Sequence, residues 1–221
     1  MALLAINLDV QDRLCLVIGG GSVAVRKVKT LLEAGARVLV VSPILAPALR
    51  QLAQAKKIEW KARAWKNCDL DRAWLVVAAT ADAEVNRQVH REARRRRLWL
   101  NAVDDPEHCS ALFPSVLTRG GIQLAVSTSG LSPALARKIR ESLESDWSEQ
   151  AGACLDWIAG FREKVKREIS DPRLRFAFWD RALTPQAVRL IQKGRRVELK
   201  RYIQSAWNKF QGSCNLKRGQ P

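Results

Sequence analysis

Leu14-Cys15-Leu16-Val17-Ile18-Gly19-Gly20-Gly21-Ser22-Val23-Ala24 decides the reading of the fold. The unbroken apolar run Leu14–Ile18 suits a strand covered on both faces of a parallel sheet, where neither side needs polar residues for water. Glycines end the run, and a helix pattern follows from Val23 to Ala34. On that helix Ala24, Val28, Leu31 and Leu32 share one face, Arg26, Lys29 and Glu33 occupy another, and Gly35 supplies the stop.

Working outward, Val38–Val41 reads as a second strand, Leu45–Gln54 as a helix and Ile58–Ala62 as a short strand. Trp74–Ala79 is another buried strand, Asp82–Arg95 a helix and Leu98–Val103 a fifth strand. The fold class is therefore α/β: an N-terminal Rossmann doubly wound parallel sheet over residues 1–112, with right-handed crossovers and strand order 3-2-1-4-5. After Pro106 the pattern changes. Ser115–Thr118 and Ile122–Ser127 flank Gly120-Gly121 as a hairpin, and Ser132-Pro133 starts a helix that runs to about Ser145. This makes a small α+β region at 113–147. From Asp146 onward only helices are indicated, punctuated at Asp171-Pro172, Thr184-Pro185 and Gly194, giving a helical domain at 148–221. Its last residues, Gly212–Pro221, carry no core signal and are expected to form a loose tail.

Composition narrows the function classes. Five cysteines without any CxxC pair argue for reduced thiols in the cytoplasm, against a disulfide framework and against a structural zinc site. No apolar run approaches a membrane span, and the short apolar Met1–Leu8 lacks the basic leader of a signal peptide. The net charge of +16 would attract a polyanion, whether nucleic acid, membrane surface or a small polycarboxylate. Arg94-Arg95-Arg96-Arg97 ends a helix, where cations are at home, and the eight tryptophans read mostly as core packing. Neither feature forms a nucleic-acid module. The two histidines, His90 in mid-helix on the surface and His108 in a loop, are isolated and do not make a metal site.

Gly19-x-Gly21-x-x-Ala24 between strand and helix is the dinucleotide-binding pattern. Gly19 allows the tight turn, Gly21 lets the backbone approach a pyrophosphate and Ala24 permits close helix–strand packing. The amides of Ser22 and Val23 would hold the phosphates. At the end of the second strand, where an acidic residue would take the ribose hydroxyls, stand Ser42, Pro43 and Ile44. These residues leave NAD and NADP both open. Thr80 closes the fourth strand, facing the cofactor, or capping the next helix with Asp82 as a first-turn acid, or both. Asp104, in Asn101-Ala102-Val103-Asp104-Asp105-Pro106, is either a general base beside the crevice or a loop-capping aspartate.

Four blocks then carry a family resemblance. They are Leu16–Lys27 with Leu32–Ala36, Val77–Asn86, Asn101–Asp104 with Phe113-Pro114-Ser115, and Ala125–Arg137, which reads AVSTSGLSPALAR. Together they resemble precorrin-2 dehydrogenase/sirohydrochlorin ferrochelatases, including the N-terminal module of siroheme synthases, continuously over about residues 5–147 and more loosely beyond. The resemblance implies oxidation of precorrin-2 to sirohydrochlorin with NAD, followed in many members by insertion of ferrous iron. It implies Asp104 as acid/base in both steps, with Asn101, Thr128, Ser129, Gly130 and Arg137, and Lys138 beside it, as candidates for substrate contact. It also implies a homodimer with Phe113–Leu143 as the interface, and a helical domain that closes over the cleft. The polycarboxylate substrate would give the basic charge a purpose. Thr128 departs from the serine common in the family; threonine keeps the hydroxyl but crowds the site. With no methyltransferase domain in these 221 residues, uroporphyrinogen methylation is expected from a separate protein. Open alternatives are a member that only dehydrogenates, and a basic nucleic-acid-binding or scaffold protein on a Rossmann shell. An ordinary small-molecule NADP dehydrogenase is disfavoured by the Ser127–Arg137 block.

Overall fold

A computed structural model describes residues 3–103 and 105–218, which divide into two compact units, Met1–Phe113 and Pro114–Pro221. The first holds β1 (Leu14–Ile18), α1 (Ser22–Glu33), β2 (Arg37–Val41), α2 (Pro47–Gln54) and β3 (Glu59–Lys61), then β4 (Leu75–Ala78), α3 (Ala83–Arg95) and β5 (Trp99–Ala102). The strands form one parallel sheet in the order β3-β2-β1-β4-β5, as the apolar runs predict.

Both faces of the sheet are covered, which explains why its strands do not alternate. Cys15 and Val17 of β1, Val38 and Val40 of β2, and Leu75 and Val77 of β4 pack with Ala24, Val28 and Leu31 of α1 and Leu49 of α2. Leu16, Ile18, Leu39, Val41, Val76 and Ala78 point the other way, onto Val89 and Ala93 of α3. Helix α1 ends as its sequence requires: Gly35 adopts φ 78°, its N–H reaches the Leu32 carbonyl and that of Ala36 reaches Leu31.

One buried charge braces this unit. Asp69, in a 3-10 turn over Asn67–Leu70, has a fully covered carboxylate. It accepts from Arg63 at 2.6 and 2.7 Å, Lys61 Nζ at 3.1 Å and the Lys66 N–H at 2.9 Å. The Arg63 hydrogen bonds outweigh burial and hold the carboxyl well below the ordinary carboxylate range. A depressed folded-state pKa adds stability above the unfolded-state value of about 3.9, and that stability is lost as pH falls through and below it. Asp69→Asn is expected to cost about 3–5 kcal/mol at neutral pH and less near pH 2–3, where the unfolded-state carboxyl is protonated while the folded-state one still holds its charge. Urea unfolding at both pH values checks this; an equal cost at both would remove the charged network as the cause.

The second unit opens with the antiparallel pair β6 (Ser115–Arg119) and β7 (Ile122–Val126), covered by α4 (Pro133–Glu144). Its turn glycine, Gly120, sits backbone to backbone against Gly152, where a Cβ would lie 2.8 Å from the opposing Cα. Helices α5 (Ala151–Glu168), α6 (Pro172–Ala182), α7 (Pro185–Gln192) and α8 (Arg196–Arg218) surround Phe161, Phe178, Trp207 and Phe210. Their rings meet at centroid distances of 4.9 to 6.5 Å. The start expected at Ser132-Pro133 is present, and the punctuation at Asp171-Pro172 and Thr184-Pro185 proves to be two further helix starts. Ser132, Asp171 and Thr184 each accept a first-turn N–H, and each has proline directly after it. The loose tail expected over Gly212–Pro221 is corrected as far as Arg218, to which α8 continues, since a single glycine weakens a helix without ending it; residues 219–221 lie outside the described ones. Among the described residues no helix is long and apolar enough to cross a membrane.

Candidate functional site

The Rossmann unit places its special residues at the carboxyl ends of β1 and β4, where the strand order reverses. Gly19 has φ 115°, and a Cβ there would lie 2.3 Å from the Ala79 carbonyl oxygen, so glycine alone lets β1 turn this close to β4. Gly20 is equally constrained, a Cβ falling 2.0 Å from the Ile44 oxygen, while its own carbonyl accepts the Ala46 N–H at 2.7 Å. That requirement is invisible in the motif, which leaves the middle position free.

Gly21 differs. It is the N-cap of α1 in extended conformation, and a Cβ there would have no described atom within 4 Å. No side chain caps α1 and no acid sits in its first turn, so the N–H groups of Ser22 and Val23 face an open space with the helix dipole behind them. An open, uncapped helix start of this kind has the polarity that a pyrophosphate needs. Ala24 is fully buried beneath it, in the packing role its size suits.

At the end of β2 the Ser42 hydroxyl donates to the Ile44 carbonyl at 2.7 Å, and the Ser42 carbonyl accepts from the Trp60 indole at 2.9 Å. Ser42 is buried in this turn, while Pro43 and Ile44 are exposed. Thr80 is corrected as the cap of α3. Asp82 is the N-cap, accepting from Glu84 and Val85, and the Thr80 hydroxyl accepts the Asp82 N–H at 2.9 Å. A carboxylate two residues later reaches the orphan amides better than the threonine can.

Asp104 lies outside the described residues. Its neighbours are ordered by the segment Asp105–Ala111, which folds back along the outer edge of β5. Ser110 Oγ accepts the Leu100 N–H at 2.7 Å, and the Leu100 carbonyl accepts from Ser110 and Ala111, both at 2.9 Å. The Cys109 thiol accepts the Ala102 N–H at 3.1 Å. This edge strand is therefore paired by a loop rather than by another strand. Asn101 is buried, donates from Nδ2 to the Ala111 carbonyl at 3.0 Å, and keeps Oδ1 without a partner among the described residues. Lys27 of α1 extends over the Phe113 ring, 4.0 Å from its centroid, and brings a cation to this part of the unit.

The same fold-back corrects the reading of the histidines as isolated. His90 is half-buried against His108, ring centroids 4.4 Å apart, and His108 Nδ1 lies 2.7 Å from the Asp105 carboxylate. Burial lowers the His90 pKa, with the charges of His108 and Arg94 adding to the effect. Among the described residues no group of three or more His, Cys, Asp or Glu could hold a metal ion.

In the second unit the Thr128 hydroxyl donates to the Ser132 carbonyl at 2.9 Å and accepts the Ser132 N–H at 3.1 Å, closing the turn before α4. Ser129 and Gly130 both have positive φ, 53° and 83°. Arg137 and Lys138 are exposed and share Glu141, at 3.6 and 3.0 Å.

Fold and cradle define a dinucleotide-binding Rossmann protein with a hairpin and a helical unit after it. Comparison with known proteins adds the family. Residues 6–115 match a putative NAD(P)-binding family, 119–146 the central region of sirohaem biosynthesis proteins and 150–206 the sirohaem synthase dimerisation region. The chain is 42% identical over 196 residues to the siroheme synthase of Thioalkalivibrio sulfidiphilus, and 38% identical over 214 residues to siroheme synthase 1 of Serratia proteamaculans. These alignments cover 89% and 96% of this chain but 40% and 45% of those proteins, so the chain spans less than half the length of these curated relatives. The solved structure of SirC, a precorrin-2 dehydrogenase, matches with 26% identity and a TM-score of 0.73, covering 92% of this chain and 100% of that one. The chain belongs to the siroheme synthase and precorrin-2 dehydrogenase family.

Proposed function

We propose that this chain oxidises precorrin-2 to sirohydrochlorin with NAD as the electron acceptor. The observation that carries the reading is the open cradle at Gly21 on the uncapped start of α1, in a chain of this family. Bound there, oxidised NAD supplies a nicotinamide that accepts a hydride. The residues of the chain do the rest. Amides of Ser22 and Val23 hold the phosphates, and Pro43 and Ile44 offer the adenosine end an apolar contact in place of a carboxylate. Asn101, Thr128, Ser129, Gly130 and Arg137 are the proposed substrate contacts. One substrate C–H bond gives up its hydrogen with the electron pair; a second hydrogen leaves as a proton, which Asp104 accepts. The excess of basic residues draws the polycarboxylate macrocycle into range.

The proposal extends to the domains and partners. Residues 1–112 bind the dinucleotide, 113–147 pair two copies and 148–221 form the helical domain. Exposed Val116, Leu131, Leu135 and Ile139 support a homodimer through the hairpin and α4. A uroporphyrinogen methyltransferase supplies the substrate, in a cytoplasm reducing enough to keep the four described thiols free.

The test is anaerobic incubation of the purified protein with enzymatically made precorrin-2 and NAD, following NADH and the sirohydrochlorin spectrum together. Coupled appearance of both is expected; no turnover with NAD or NADP would overturn the proposal. Iron insertion is proposed as a second step, in which the macrocycle exchanges two pyrrole protons for ferrous iron with Asp104 as acceptor. Sirohydrochlorin and ferrous iron without NAD should then yield siroheme faster than the uncatalysed control. Failure there, with oxidation intact, would make this a dehydrogenase alone.

A further inference from the structure

Two features of the sequence have no place in the oxidation: the run Arg94-Arg95-Arg96-Arg97 and the chain's only two histidines. The fold brings both to one cavity of about 380 Å³ beside β5, within the Rossmann unit. Its walls include His90 and Arg94 of α3, Arg97 just after it, exposed Trp99, and Glu107 and His108 of the Asp105–Ala111 loop. The arginine run divides here. Arg95 and Arg96 are ion-paired, with Glu92 and Asp71, whereas Arg94 and Arg97 have no side-chain hydrogen bond or ion pair among the described residues. His90 likewise has no hydrogen-bond partner among them.

We infer that this cavity binds a small oxyanion of phosphate or carboxylate chemistry, held by the guanidinium groups of Arg94 and Arg97 together with the imidazoles of His90 and His108. Guanidinium forks match the oxygens of such groups, and the cavity has the volume of a small-molecule site. Cations gathered without matching acids repel one another, and a bound anion relieves that repulsion. Around His90 stand Arg91 and Arg94 on its own helix, and His108 and Asp105 on the loop. Arg91 reaches Glu84 at 3.6 Å, and the Asp105 carboxylate is engaged by His108 Nδ1 at 2.7 Å. Glu107 is the one carboxylate among the described lining residues. Burial lowers the His90 pKa; the charges of His108, Arg94 and Arg91 act in the same direction and that of Asp105 against them. Because His108 Nδ1 donates to Asp105, a second proton on this ring goes to Nε2 and turns it into a donor. Anion binding should therefore tighten as pH falls and the imidazoles gain charge.

The site is independent of the proposed oxidation, and its test needs no turnover. The whole chain, isotope-labelled at histidine Cε1, is titrated by NMR from about pH 5 to 9 in chloride, then with inorganic phosphate or citrate at equal ionic strength. His90→Gln assigns the two signals. One oxyanion or both should raise the His90 midpoint by about 1 pH unit, and by linkage that anion should bind about tenfold more tightly below the midpoint than above it. A response to phosphate alone assigns the site to phosphate groups, to citrate alone to carboxylates, and to both to oxyanions in general. Arg94→Gln and Arg97→Gly should each weaken the response roughly 10-fold, and the double variant should abolish it. Arg97 occupies a left-handed position, φ 56°, that Gly35 fills at the end of α1, so Arg97→Gly removes the guanidinium while relieving strain. Its thermal midpoint in chloride should be no lower than the parent's. Histidine midpoints that move no further in phosphate and citrate than in chloride would overturn the site, as would a response that survives in the double variant.

Discussion

Asp104→Ala is expected to lower kcat for precorrin-2 oxidation by about 10²–10⁴-fold while NADH binds as tightly as to the parent. The size follows from the role. A positioned carboxylate that accepts a proton in the transition state contributes that much, and alanine can neither accept the proton nor orient a water to do so. The retained cofactor affinity follows from the fold, because the cradle is built from Gly19–Val23 at the turn after β1, and its constraints come from Ala79 and Ile44. Steady-state kinetics with both substrates varied, together with NADH fluorescence titration, separate the two effects. A variant that turns over at the parental rate would discard Asp104 as the base and leave the reaction itself standing. One that loses NADH binding would make the residue part of the cofactor site.

The second large effect is a contrast between neighbouring glycines. Gly20→Ala should unfold or severely destabilise the protein, by more than about 3 kcal/mol, because its methyl group would meet the Ile44 carbonyl at 2.0 Å, a backbone atom that cannot rotate away. Gly21→Ala should fold with an unchanged or slightly raised thermal midpoint: its backbone is extended and no described atom lies within 4 Å of the new methyl group. That empty space is where the pyrophosphate would sit, so Gly21→Ala should weaken NADH binding on the order of 100-fold, about 2.7 kcal/mol. Thermal denaturation and calorimetric titration of both variants test the pair. A stable Gly21→Ala protein with parental NADH affinity would show that the dinucleotide does not use this cradle.

Much of the fold and part of the site could be read without coordinates. Apolar runs such as Val38–Val41 and Trp74–Ala79 specified strands covered on both faces, since only burial on both sides removes the need for polar alternation. Ser132-Pro133 specified a helix start, because capping is a property of a few adjacent residues, while Asp171-Pro172 and Thr184-Pro185 marked breaks between helices. Gly19 and Gly21 were legible for the same reason; the motif is local. Asp104 as the base, by contrast, came from family resemblance, and nothing in its neighbours' pattern separates a base from a turn aspartate.

What the tertiary structure alone decided depends on segments that meet from a distance. The need for glycine at position 20 arises from Ile44, and the half-burial of His90 arises from His108. Ser42 turned out to spend its hydroxyl on Ile44, and Cys109 to stand in for a missing strand beside Ala102. Periodicity records whether a side chain faces water or core, because that choice repeats with the turn of a helix or the pleat of a strand. It does not record which distant atom completes a hydrogen bond, since that is set only when the loops close over the sheet.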